Sequence, residues 1–284
     1  MIEIKKISSG DVLATIDADT LAGADLREMR LEDADLENAD LNHAILDFAD
    51  LNRANLKGAN LQHASLIGVH LNDADLSNAD LSHAEMGSDN HAHAAMLLNS
   101  KLVNANLSHA YLHWVDFRES DLSQANLSRA DMRHTIFYRA NMTEVIANDC
   151  LFIRANLREA KLNHADLRDS HFNDANMFKA DLSYANLGSK YEDGFAVINK
   201  ANLERANLSH AQMRNIFARS VNLHQADLNH ANLEDAVITG SIISHADVSN
   251  AEFKGAELDT VTMGYSNFSK ALNADIPPNK KNVH

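Results

Sequence analysis

Cysteine occurs once, at Cys150, which excludes an intramolecular disulfide framework and any multi-cysteine metal site. Proline occurs only as the pair Pro277-Pro278, and aromatic residues make up 6% of the chain, with Trp114 the single tryptophan. Basic residues are outnumbered by acidic ones, 25 to 40, a formal net charge of −15. That imbalance leaves nothing to neutralise a row of phosphates, so direct nucleic-acid binding is not expected. No apolar run approaches a membrane span, and Met1–Gly10 lacks the apolar stretch of a signal peptide. The expectation is a soluble protein of a reducing, cytoplasmic compartment without membrane contact. Asn-x-Ser/Thr triplets such as Asn106-Leu107-Ser108 then read as by-products of a repeat. What is present is a 284-residue chain, 45% hydrophobic, enough to build a sizeable core.

The hydrophobic residues are periodic. From Ile16 a large apolar residue recurs every five positions through Leu21, Leu26 and Leu31 to Met86. The series resumes at Leu97 and runs to Leu187 with one lapse at Ala147, then resumes at Ile198 and ends at Phe268 with one lapse at Ala218. Alanine usually stands two positions earlier (Ala34, Ala39, Ala44, Ala49), and Asp or Asn one position earlier.

Five residues turn an α-helix by about 140°, which scatters the leucines around the axis. On a flat strand an odd spacing sends alternate leucines to opposite faces. One shared interior is possible only if the chain turns a corner in every repeat. Four corners close a twenty-residue coil, and stacked coils lie about 4.8 Å apart in ladder contact. With the large residue called i, positions i and i−2 point inward, and i−1, i+1 and i+2 face water.

The tandem units Ala39-Asp40-Leu41-Asn42-His43 and Ala54-Asn55-Leu56-Lys57-Gly58 resemble the A(D/N)LXX motif of the pentapeptide-repeat family over roughly residues 14–270. The resemblance implies an all-β fold, a right-handed quadrilateral β-helix of about 12–13 coils with two short interruptions. The expected layout is an N-terminal cap over 1–15, the β-helix over 16–270 with interruptions near 87–96 and 188–197, and a C-terminal tail over 271–284.

Each interruption spans eleven residues between central positions, Met86 to Leu97 and Leu187 to Ile198. Counted as one irregular repeat apiece, both fall on the same side of the coil. The first carries Asp89, His91 and His93, and the second Tyr191, Glu192 and Asp193. The same count puts Tyr111, His113, Trp114, His134, Leu151 and Ile153 on that side, where polar residues are the rule. These twelve residues form the candidate protein-contact face, since clustered outward apolar groups mean more than single ones. Tolerated surface loops are the competing explanation. Central phenylalanines pair twenty residues apart, Phe117 with Phe137 and Phe152 with Phe172, as interior stacks, and Cys150 falls on an inward position.

His43, His63 and His83 repeat at twenty residues in one outward column, and His210 with His230 in another. Outward positions here cycle through Asn, Ser, His, Arg and Glu, so solvated columns are preferred to a metal site, which needs convergent ligands. Aspartates on a convex wall offer no cleft, and a filled interior leaves no cofactor pocket. No metal, no cofactor and no catalytic residue are expected. The expected function is a non-catalytic protein-binding or scaffolding rod, monomeric or dimerised end to end, whose partner is unidentified. A subset of the resembled family supplies the alternative: acidic DNA mimics that bind DNA gyrase or topoisomerase IV, type II topoisomerases, and protect them from quinolones or toxins. Acidity favours it, for residues 1–86 alone hold 17 acidic and 6 basic side chains.

Overall fold

The structure, a computed structural model, describes residues 1–189 and 195–280. The chain divides into two compact units, residues 1–142 and 143–284, taken in turn.

In the first unit, strand β1 (Ile2–Lys6) pairs antiparallel with β2 (Val12–Ile16) and with the short β3 (Ala34–Asp35). Ile4 of β1 is buried, so this hairpin covers the open end of the first coil. The repeats then form a parallel ladder in which i−1 residues bridge their equivalents one coil on, twenty positions away except across the first interruption, from Asp25↔Ile45 to Asp121↔Asn141. Leu41 N–H, for example, donates to Asn60 C=O (2.8 Å). The corner of each repeat is a tight turn. Ala44 N–H donates to Leu41 C=O (2.9 Å) around Asn42 and His43, and His43 has φ +56°. Positive φ at the second turn residue alone is the signature of a type II turn. The Asp or Asn at i−1 supports this corner by accepting the N–H at i+1, as Asp50 does from Asn52 (3.1 Å).

Leucines at i and, except for half-buried Ala24 and Ala39, alanines at i−2 are buried in the coils of this unit, so the interior is solid. Where phenylalanine fills i, the rings stack: Phe117 and Phe137 lie 5.3 Å apart and nearly parallel. Polar residues at inward positions bond backbone carbonyls, as Thr135 Oγ1 does to Leu112 (2.7 Å). Among the described residues no buried side-chain N or O lacks a partner, which lets hydroxyls replace alanine inside without an unmet bond.

The first interruption does not count as a repeat. Leu71 N–H donates to Met96 C=O (2.8 Å) and His70 bridges Met96, so Leu97 follows Met86 as the next central residue. The six surplus residues leave the ladder, and the irregular repeat expected between 87 and 96 is absent. The backbone bonds decide this, because an eleven-residue gap fits either one extra repeat or one excursion.

The second unit has the same construction, with the ladder running from Ile146↔Asp166 to Glu252↔Leu272. Phe172 N–H donates to Val197 C=O (2.6 Å), so Ile198 directly follows Leu187 in the repeat series and the second interruption is also an excursion. The reasoning that placed both interruptions on one side rested on counting each as a repeat, and neither is one. Phe152 and Phe172 stack at 4.5 Å, and Cys150 is buried. The ladder continues past Phe268, since Phe253 N–H donates to Leu272 C=O (3.0 Å). Lys280 Nζ then donates to the carbonyls of Leu258 (3.2 Å) and Val261 (2.7 Å), supplying donors to the last coil's carbonyls.

Candidate protein-contact walls

The excursion after Met86 folds back onto the wall it leaves. Gly87 N–H donates to Tyr111 C=O (2.9 Å) and Ser88 N–H to His113 C=O (3.1 Å). A Cβ at Gly87 would lie 2.3 Å from the His113 amide nitrogen, so only glycine fits there. Asn90 caps a single 3-10 turn, His91–His93, by accepting the Ala92 N–H (3.1 Å). The chain re-enters at buried Ala94 and Ala95, whose N–H donates to Met86 C=O (2.9 Å).

This loop meets the outward aromatics of the coil beneath. Tyr111 Oη donates to Asp89 Oδ1 (3.2 Å) and lies 3.0 Å from His113 Nδ1, which stands 3.4 Å from the same carboxylate. Burial, then the bond to Asp89, raises the Tyr111 phenol above its ordinary range. The Trp114 ring stacks on His134 at 4.3 Å and is approached by His91 at 5.8 Å. The structure thus brings together six of the residues singled out from the sequence: Asp89, His91, Tyr111, His113, Trp114 and His134. His93 turns the other way, edge-on to Phe48 at 5.6 Å.

Phe48 is the member that the sequence reading missed. It is 49% exposed, at an i+2 corner with φ +58°. Its ring lies over Gly68, where a Cβ would approach within 2.5 Å. The signal was present as a bulky residue at an outward corner with glycine twenty positions later. One wall of the first unit therefore carries an aromatic strip running from Phe48 through His93 and His91 to Trp114 and His134.

In the second unit Leu151 and Ile153 are half-buried on a wall whose bridging residues continue as His171, Val197, Phe217 and Val237. Phe195, 42% exposed, packs on Phe217 at 4.4 Å. Repetition of apolar residues at i−1 was the signal for this extension, hidden by the miscounted register. Tyr191, Glu192 and Asp193 lie outside the described residues.

Charge is arranged repeat by repeat. Where Arg at i+1 follows an Asp at i−1, it folds back on that Asp: Arg27 on Asp25 (2.6 Å), Arg118 on Asp116 (2.6 Å) and Arg168 on Asp166 (2.7 Å). The Arg27 bond holds the Asp25 carboxyl at about 2. Elsewhere aspartates bond amides instead: Asn55 donates to Asp35 (3.1 Å), Asn60 to Asp40 (3.0 Å) and Asn106 to Asp80 (3.0 Å), leaving the charge in place.

The histidine columns are longer than expected. His43, His63, His83 and His109 stack at 4.9, 4.7 and 4.8 Å in the first unit. In the second, His164, Tyr184, His210 and His230 stack at 4.9, 4.5 and 4.9 Å. Among the described residues no three His, Cys, Asp or Glu side chains converge as a closed cation site. No helix of the described residues is long and apolar enough to cross a membrane.

In each unit, a four-sided coil with a parallel ladder, a filled interior and decorated outer walls defines a β-helical repeat protein. The family model for pentapeptide repeats matches eight copies, over residues 21–58, 54–87, 93–124, 110–146, 155–188 and 219–255. The chain belongs to the pentapeptide-repeat family, whose fold is the right-handed quadrilateral β-helix. Among solved structures it is similar to HetL, a pentapeptide repeat protein involved in heterocyst differentiation regulation from the cyanobacterium Nostoc sp. strain PCC 7120. The identity is 27%, over 84% of this chain and 91% of that one, with a TM-score of 0.49. A trypsin-treated variant of QnrB1, a plasmid-mediated fluoroquinolone resistance protein, is 17% identical over 70% of this chain and 93% of that one, with a TM-score of 0.39. A pentapeptide repeat protein of the Arabidopsis thaliana thylakoid lumen is 31% identical over 37% of this chain and 66% of that one, with a TM-score of 0.26. No curated protein sequence matches the chain.

Proposed function

We propose that the protein is a non-catalytic binding scaffold that docks a protein partner on the aromatic wall of its first unit. The observation that carries this reading is the loop of residues 87–95, held by backbone bonds against Tyr111 and His113 so that His91 and His93 extend the rings of Trp114, His134 and Phe48. The partner's chemistry follows from the wall. Half-buried rings stand beside Asp89, whose side chain is 95% exposed, and exposed His91 borders them, so the matching surface presents an Arg or Lys next to an apolar side chain. A scaffold role is consistent with the carboxylates: among the described residues, the aspartates whose acidity is displaced (Asp25, Asp33, Asp75, Asp80, Asp247) are displaced downward and held ionised, the reverse of what a general acid requires.

Affinity purification with the wild type and with a Phe48→Ser/Trp114→Asn variant tests the reading. A partner recovered with the wild type and lost with the variant supports it. A partner retained unchanged by the variant refutes this wall.

A second reading, an acidic DNA mimic acting on gyrase or topoisomerase IV, draws on the carboxylates of Asp35, Asp40 and Asp80, bonded to amides and so still negative in an acid-rich segment. A gyrase supercoiling assay with and without a quinolone distinguishes the two. The absence of both inhibition and protection removes this alternative.

A further inference from the structure

Five histidines occupy i+2 corners in residues 1–142, and four of them, His43, His63, His83 and His109, share one column. Tolerance of positive φ explains any one of these. It does not explain four in succession while the other three walls of the unit put Glu, Phe, Asp, Arg, Asn, Gln, Gly and Trp at their corners and histidine only once, at His134. The spacing is rigidly set, for their backbone N–H groups donate to Gln62, Ser82, Ser108 and Ser128 at 2.9, 3.0, 3.0 and 2.9 Å. The rings lie within 8–11° of parallel and all four residues are exposed. Among the described residues none hydrogen-bonds a ring nitrogen of the four, so both nitrogens of each remain available.

We propose that this column is an open binding site for a divalent transition metal that favours imidazole, Zn²⁺ or Ni²⁺, each ion bridging rings on adjacent coils. Neutral imidazole nitrogen is the preferred ligand of such ions. Neighbouring rings 4.7–4.9 Å apart need only tilt towards each other to share one ion, and solvent-exposed side chains are free to do so. Each ion takes two imidazoles, and water completes its four-coordinate shell. The sequence alone favours a solvated column. The added fourth ring and the free nitrogens reverse that preference. The second unit offers a contrast: Tyr184 interrupts its column, and the Asn250 amide lies 3.4 Å from His230 Nε2.

The test is calorimetric titration of the full chain with Zn²⁺, comparing wild type with two double variants. Asparagine tolerates the corner conformation, so each variant keeps its turns. His63→Asn/His83→Asn leaves survivors three coils apart with no adjacent pair. Even an outer partner of a ligating histidine is worth about ten- to a hundred-fold in affinity, so losing the neighbouring ligand weakens Zn²⁺ binding at least that much. His43→Asn/His109→Asn keeps only the central pair, so Zn²⁺ binding persists with its stoichiometry reduced from two ions to one. In the wild type, ring ¹⁵N resonances of the four histidines shift on Zn²⁺ addition, a readout that needs no variant. No Zn²⁺ binding by the wild type, undiminished binding by His63→Asn/His83→Asn, or shifts confined to other histidines overturns the proposal.

Discussion

Leu71 and Leu97 are vertical neighbours: the Leu71 N–H donates to the carbonyl just before Leu97, at 2.8 Å, and the ladder on both sides keeps its twenty-residue step. The six residues Ser88–His93 are therefore surplus to the coil. Deleting them joins Met86-Gly87 to Ala94-Ala95-Met96-Leu97, a regular repeat with alanine at i−2. The deletion is expected to leave the β circular dichroism unchanged and to shift Tm by no more than about 3 °C. Deleting five residues instead leaves one extra, which moves the following side chains out of register, and should abolish the cooperative transition.

Trp114 separates binding from stability. A bulky residue at φ +65° is strained by about 1–2 kcal/mol, while its stack on His134 returns about 0.5–1.5 kcal/mol. Trp114→Asn loses both, so stability in urea denaturation should change by no more than about 1.5 kcal/mol while partner affinity falls sharply.

Interior phenylalanines behave in the opposite way. Phe172 is fully buried against Phe152, and Phe172→Ala should cost about 3–5 kcal/mol in chemical denaturation, with no specific effect on the first unit's aromatic wall.

Asp33 ties β1 to the wall through Arg53 (2.8 Å) and Lys6 (3.2 Å). Its carboxyl is held below the ordinary 3.8, first by the Arg53 hydrogen bonds. A depressed folded value stabilises above the unfolded one, and the contribution fades as pH falls through the folded value. The Tm difference between wild type and Asp33→Asn should therefore be constant near neutrality, shrink below about pH 4 and vanish in stronger acid. A difference that grows on acidification would contradict the pairing.

The five-residue period was enough to place the leucines and alanines inside, because no other fold reconciles that spacing with one core. Register through the interruptions was not legible, since spacing counts residues and cannot say which of them leave the ladder. That single ambiguity hid His109 from its column and Val197 and Phe217 from the wall of Leu151. The cluster of Trp114, His134 and Asp89 was legible because loop and wall are sequence neighbours across one coil. Phe48 was not, because the corner positions accept every residue type and one exposed ring carries no weight until Gly68 and His93 are seen beside it.

The docking wall is tested most directly by site-specific photo-crosslinking in the native cell, with the reactive side chain at position 134 on the aromatic wall or at position 104, a corner on another wall of the same unit. Covalent capture of one protein from position 134, and none from position 104, is the predicted result. No capture from position 134, or equal capture from both, would contradict it.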